Sequence, residues 1–169
     1  MHFYLKHIIY KQSNSQGKQR LFQDPQHLLQ VIIPLPKGEI AIPGTLQAEN
    51  FDSGADGIAF HDSDTKDDGN VGYRKDNEGV DIVSGNGGYA IGYTSSGEWL
   101  EYTVNVAEAG IYAFEATVSS GVTNSGISLA LNTENGLVEL TKSITIPSAG
   151  SNNWATNCLA PMADALNKY

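Results

Sequence analysis

The sequence predicts an all-β domain, a β-sandwich, and three observations carry that prediction. Its apolar residues fall in short runs with a two-residue period, the period of a strand with one buried face. Turns rich in Gly, Asp, Asn and Ser separate these runs at the spacing of a sandwich, and 18 glycines supply them. The 3.6-residue periodicity of a helical bundle is missing. With 169 residues and 40% apolar content there is material for one core, and two would be crowded.

Residues 1–41 stand apart as a poorly structured, irregular leader and linker. They carry a polar basic patch from Lys11 to Arg20 and the stretch Pro34-Leu35-Pro36-Lys37-Gly38, and a short helix near Pro25 to Val31 is the one element suggested there. From residue 42 to 169 the texture is that of strands. In Trp99 to Val106, Leu100, Tyr102, Val104 and Val106 share one face, with Trp99, Glu101, Thr103 and Asn105 on the other. Beyond Ala107-Glu108-Ala109-Gly110, Tyr112, Phe114, Ala116 and Val118 repeat the pattern, which predicts a hairpin between the two segments. Ile127-Leu129-Leu131 and the segment Leu137 to Ile146 continue as strands. Residues 155–169 show no strand alternation, so the sandwich is expected to be incomplete at its C-terminal end, with sheet edges exposed.

Charge and reactive side chains narrow the function. Residues 1–40 hold five Lys/Arg against two acidic residues, whereas the remainder holds five against seventeen, and the whole carries a net charge of −9. An acidic domain repels phosphate backbones, so nucleic acid is excluded as a partner, while neutral polysaccharide and calcium are compatible. Cys158 is the sole cysteine and forms no internal disulfide. Met1 to Tyr10 is apolar but broken by Lys6 and His7 with no small-residue cleavage site after it, so it is not read as a signal peptide. Leu28 to Leu35 falls far short of the roughly 20 apolar residues a membrane span needs. Hydrolytic chemistry lacks its parts. A glycosidase needs two carboxylates roughly 5–10 Å apart across a cleft. Glu98 and Glu101, three apart in a strand, fall on opposite faces. No Gly-x-Ser-x-Gly occurs, and His2, His7, His27 and His61 lie in the leader or a turn.

Five short motifs occur in order: Ile42-Pro43-Gly44-Thr45-Leu46-Gln47-Ala48-Glu49-Asn50-Phe51-Asp52, Gly57-Ile58-Ala59-Phe60-His61-Asp62, Asn70-Val71-Gly72-Tyr73-Arg74, Gly79-Val80-Asp81-Ile82, and Gly87-Gly88-Tyr89-Ala90-Ile91-Gly92-Tyr93-Thr94. In that order and spacing, over roughly residues 42 to 147, the chain resembles the family 6 carbohydrate-binding modules. The resemblance implies a β jelly roll that binds sugar without cleaving it. It also implies a covalently linked glycoside hydrolase acting on agar, xylan or β-glucan, and an extracellular setting. The alternatives are a calcium-stabilised adhesion or interaction domain without glycan affinity, and a fragment of a hydrolase.

A pyranose offers apolar C–H faces and a rim of hydroxyls, so a site needs flat aromatic walls and polar side chains at their edge. In the family two aromatics sandwich a terminal sugar at the loop edge. The resemblance puts Tyr73 or Tyr93 on one wall and Trp154 on the other, with Asp56 reaching a sugar hydroxyl. The bland alternatives are core or hairpin aromatics and a solvated turn carboxylate. Trp99, inside a strand motif, reads as structural. Gln47 and Glu49, two apart on one strand, can bring their side-chain oxygens to one spot, which suits a calcium ion. In the family the matching segment helps hold a structural calcium, the one cofactor expected here. The acidic run Asp62-Ser63-Asp64-Thr65-Lys66-Asp67-Asp68-Gly69 lacks the ligand order of a helix-flanked calcium loop and is read as a solvated turn.

Overall fold

The computed structural model describes residues 7–12, 40–76, 79–85, 87–106, 112–133, 135–148 and 155–161, the first and last of these as backbone only. Its strands are β1 (His7–Gln12), β2 (Ile40–Ile42), β3 (Phe60–His61), β4 (Ile82–Gly85), β5 (Gly88–Ile91), β6 (Trp99–Val106), β7 (Ala113–Val118), β8 (Ser125–Thr133), β9 (Gly136–Glu139), β10 (Ile144–Ile146) and β11 (Ala155–Pro161). The domain is the all-β sandwich that the sequence predicts. Helix among the described residues is limited to the 3-10 turn Ala48–Asn50. No helix there is long and apolar enough to cross a membrane.

The larger sheet runs β10-β8-β1-β6-β2, with β3 on β6 and β9 on β8. Two further two-stranded sheets are formed by β7 with β11 and by β4 with β5. Strand alternation on β6 works as the sequence predicts: Leu100, Tyr102 and Val104 enter the core, joined by Ile127, Leu129 and Leu131 of β8 and by Phe51, Phe60, Ile82, Leu140 and Ile146. Phe51 meets Phe60 edge-on, with centroids 5.7 Å apart. Phe114, Ala116 and Val118 of β7 pack against this core, again on the face expected.

Three features differ from expectation. β6 and β7 do not form a hairpin: β6 pairs with β1, β2 and β3, and β7 pairs with β11. Alternation identifies a buried face but not the strand alongside it, and here the chain crosses between sheets. His7–Gln12, within the segment read as leader, forms β1 and lies parallel to β6 on one side and β8 on the other. Ala155–Pro161 forms β11, antiparallel to β7, with its register broken between Thr156 and Cys158. A bulge shifts the side-chain period by one residue, which is why no alternation shows in that segment. The expected helix near residues 25–31 lies outside the described residues.

Candidate functional site

The loops between the first strands form a tied cluster built around Arg74. Its side chain is 3% exposed, and its guanidinium lies 3.8 Å above the centre of the Phe51 ring. Nη1 donates to the Phe51 carbonyl and Nη2 to the Asp52 carbonyl at 3.3 Å. Nε and Nη2 clamp both carboxylate oxygens of Asp76, each at 3.0 Å. Ser53 Oγ also donates to Asp76, at 2.8 Å. These bonds fasten the segment Phe51–Ser53 to the segment Arg74–Asp76, and Tyr73 sits at the edge of the knot. Arg74 holds the Asp76 carboxyl down at about 2, with help from Ser53.

Tyr73 is half-buried against the core, and its hydroxyl donates to Asn50 Oδ1 at 2.8 Å. Its ring meets Tyr89, with centroids 4.4 Å apart and planes inclined at 42°. Tyr89 is 41% exposed. The sequence reading did not single out Tyr89, although the signal was there. It follows Gly87-Gly88 at the tip of the β4–β5 hairpin, and its strand face is shared with Ile91, which packs on the core. Tyr93, two residues beyond β5, is half-buried in a left-handed backbone (φ 50°), a conformation uncommon for a bulky residue. Trp154 lies outside the described residues.

Asp56 is exposed in the turn before β3. Its Oδ1 accepts from His61 Nδ1 at 2.9 Å and from the Asp62 amide at 3.2 Å. These bonds, the histidine's first, hold its carboxyl below the usual carboxylate range. Trp99 is half-buried within β6, opposite His61 on β3. The two glutamates weighed as a catalytic pair are both engaged. Glu98 accepts from the Ser63 amide and hydroxyl and from the Ser95 amide. Glu101 accepts from Asn132 Nδ2 at 2.9 Å.

The pair assigned to calcium does not share a strand face. Ala48–Asn50 is a 3-10 turn with Gln47 as the extended residue before it; Gln47 is exposed whereas Glu49 is 7% exposed. The strand geometry invoked to converge their oxygens is therefore missing. Among the described residues no group of three or more His, Cys, Asp or Glu is placed to hold a metal ion. The acidic run folds on itself: the Asp64 amide donates to Asp62 Oδ1 at 3.0 Å, the Lys66 amide to Asp64 Oδ1 at 2.7 Å, and the Asn70 amide to Asp67 Oδ1 at 3.0 Å. The Asp68 amide then closes onto Asp81 Oδ1.

This closed loop sets a pH dependence. Burial pushes the Asp62 carboxyl up to about 6, with the charges of Glu98, Asp81 and Asp64 adding to it. Burial also raises Asp81 to about 6, reinforced by the charges of Asp68 and Asp67. Both groups hold a proton in the folded state at pH values where the unfolded chain has lost it. Their contribution is fully present below about pH 4 and is lost as pH rises through about 6. Asp76 works in the opposite direction, its contribution being lost as pH falls from about 4 through 2. Thermal unfolding followed by calorimetry is expected to show the highest Tm near pH 4, with a decline from there to about pH 7. Asp81→Asn, which keeps an oxygen for the Asp68 amide, should flatten that decline.

No curated protein and no solved structure matches the chain. The family model described as carbohydrate binding module (family 6) matches residues 47–161, from the 3-10 turn to the end of β11. The chain therefore belongs to family 6 of the carbohydrate-binding modules.

Proposed function

We propose that this module holds a polysaccharide of the agar, xylan or β-glucan class through aromatic contact at the Tyr73–Tyr89 surface, and that it targets an attached glycoside hydrolase to that polysaccharide outside the cell. The observation that carries this reading is the exposed Tyr89 ring backed by Tyr73, whose hydroxyl is tied to Asn50. A wall for a sugar must be flat, apolar and unable to swing away, and a ring backed by a second, anchored ring meets those needs. Asp56 supplies the acceptor for a sugar hydroxyl. Trp154 remains in the reading as the opposing wall, with Tyr93 as the alternative to Tyr73 on the first, and Gln47 and Glu49 remain as calcium ligands, with Glu49 the inward one.

Calorimetric titration with agaro-, xylo- and laminari-oligosaccharides tests it. One series is expected to bind with a Kd in the micromolar to millimolar range, and Tyr89→Ala or Trp154→Ala should weaken that Kd about tenfold, or about 1.4 kcal/mol. An unchanged Kd in Tyr89→Ala removes the Tyr73–Tyr89 wall. A glycan array silent to the unmodified protein would leave an interaction domain without glycan affinity. Running the titration in calcium and in chelator checks the metal: equal Kd and equal Tm in both would take calcium out of the reading.

A further inference from the structure

Asp56 and His61 bracket a turn whose shape is fixed from inside the core. The Gly57 amide donates to the Phe60 carbonyl at 2.6 Å, and the amides of Ile58 and Ala59 donate to the Ala55 carbonyl at 3.0 and 3.1 Å. Phe60 is buried against Phe51. The Ala59 carbonyl accepts from the Glu101 amide at 2.8 Å, and β3 pairs with β6 at Phe60 and His61. With Phe60 anchored inward, strand alternation sends His61 outward, where its Nδ1 meets Asp56 Oδ1. The same turn is continuous with Phe51–Ser53, which Arg74 fastens to the segment carrying Tyr73.

The shared bond occupies Oδ1 of the carboxylate and Nδ1 of the ring. Oδ1 also takes the Asp62 amide, so this oxygen of Asp56 is committed to the protein, while the side chain as a whole remains 57% exposed. An exposed Asp side chain on its own samples several rotamers, and a sugar that needs its carboxylate in one orientation must order it on binding. A donor on a rigid strand removes that cost in advance.

We propose that His61 is a positioning residue for glycan recognition: it holds the exposed Asp56 carboxylate in one orientation so that it is presented to a sugar hydroxyl. This inference rests on the glycan-binding function proposed for these loops. Nothing in it requires His61 to touch the sugar. An exposed His–Asp pair contributes little to stability, so its effect falls on affinity rather than on Tm.

A double-mutant cycle on the full chain, read by titration with the oligosaccharide series that the unmodified protein binds, tests it. His61→Ala is expected to weaken Kd about fivefold with Tm nearly unchanged, and Asp56→Asn to weaken it at least as much. In the Asp56→Asn background, His61→Ala should then cost less than twofold, because the group it orients is already lost. His61→Asn, whose amide can donate where Nδ1 does, should restore Kd to within about twofold of the starting value. Equal Kd for His61→Ala and the unmodified protein overturns the inference while leaving the glycan-binding function standing. Additive effects in the cycle overturn it too, and so does failure of His61→Asn to restore Kd. An unmodified protein that binds none of the three series overturns both.

Discussion

Replacing Arg74 with alanine is expected to lower the unfolding free energy by about 3 kcal/mol, read as a shift in the urea midpoint at constant slope. Three losses combine. The carbonyls of Phe51 and Asp52 lose a charged donor, and a buried acceptor without a partner costs about 1–3 kcal/mol. The face of Phe51 loses the guanidinium stacked 3.8 Å from its centre, leaving a void beside a core ring. Asp76 loses both prongs of its clamp and its carboxyl returns toward the ordinary range, so its contribution above about pH 4 is lost and the fall in stability from about pH 4 to 2 flattens. Arg74→Lys should recover less than half the loss, because an ammonium is a point charge and cannot reach two carbonyls and a carboxylate at once. Glycan affinity should fall as well, since the knot also positions Tyr73. A midpoint unchanged in Arg74→Ala would mean that the loops keep their shape through β3 and β6 alone.

Face and partner differ in how plainly they stand in the sequence. The buried faces of β6 and β7 are legible because a strand exposes alternate residues, and Leu100, Tyr102, Val104, Phe114 and Val118 all lie where alternation puts them. The neighbour of each strand is not legible. A hairpin was the economical guess for β6 and β7, and only long-range packing shows that the chain crosses layers instead. β1 illustrates a different limit. A parallel strand flanked on both sides carries a continuous apolar run rather than an alternating one, and Ile8-Ile9-Tyr10, in an apolar opening broken by Lys6 and His7, is ambiguous without its neighbours.

Recognition motifs brought Tyr73, Tyr93 and Asp56 into view, yet the bonds that give two of these residues their setting came from elsewhere in the chain. Tyr89 backs onto Tyr73 across a separation of sixteen residues, and His61 reaches Asp56 only because the turn between them folds tightly. For Gln47 and Glu49 it is the local backbone that differs from expectation. Two oxygen-bearing side chains at i and i+2 converge only if the segment is extended, and a 3-10 turn over Ala48–Asn50 separates an exposed residue from a buried one. Arg74 was visible as part of a motif, but its burial follows from partners at Phe51 and Asp52, more than twenty residues away.

Gly79→Ala is expected to cost about 2–4 kcal/mol and to abolish the pH dependence set by the acidic loop. Gly79 has φ 98°, a conformation that L side chains rarely adopt, and a Cβ there would lie 2.2 Å from the Asp64 carbonyl oxygen and 3.2 Å from Asp62 Cβ. The loop lies equally close at its other end, where a Cβ on Gly69 would be 1.9 Å from the Ile82 carbonyl oxygen. Neither obstacle is the end of a flexible side chain, so the loop itself must lift. Lifting it lets water reach Asp62 and Asp81, whose carboxyls then fall back toward their ordinary range, and the decline in Tm from about pH 4 to 7 disappears. Gly57→Ala separates backbone strain from steric exclusion. Gly57 also has positive φ, 76°, but its Cβ would meet nothing within 4 Å, so the substitution should cost only about 1–2 kcal/mol and leave the pH profile intact. If the two variants lose equal stability and keep the same pH profile, the close seating of residues 62–69 on residues 79–82 is not what raises the two carboxyls.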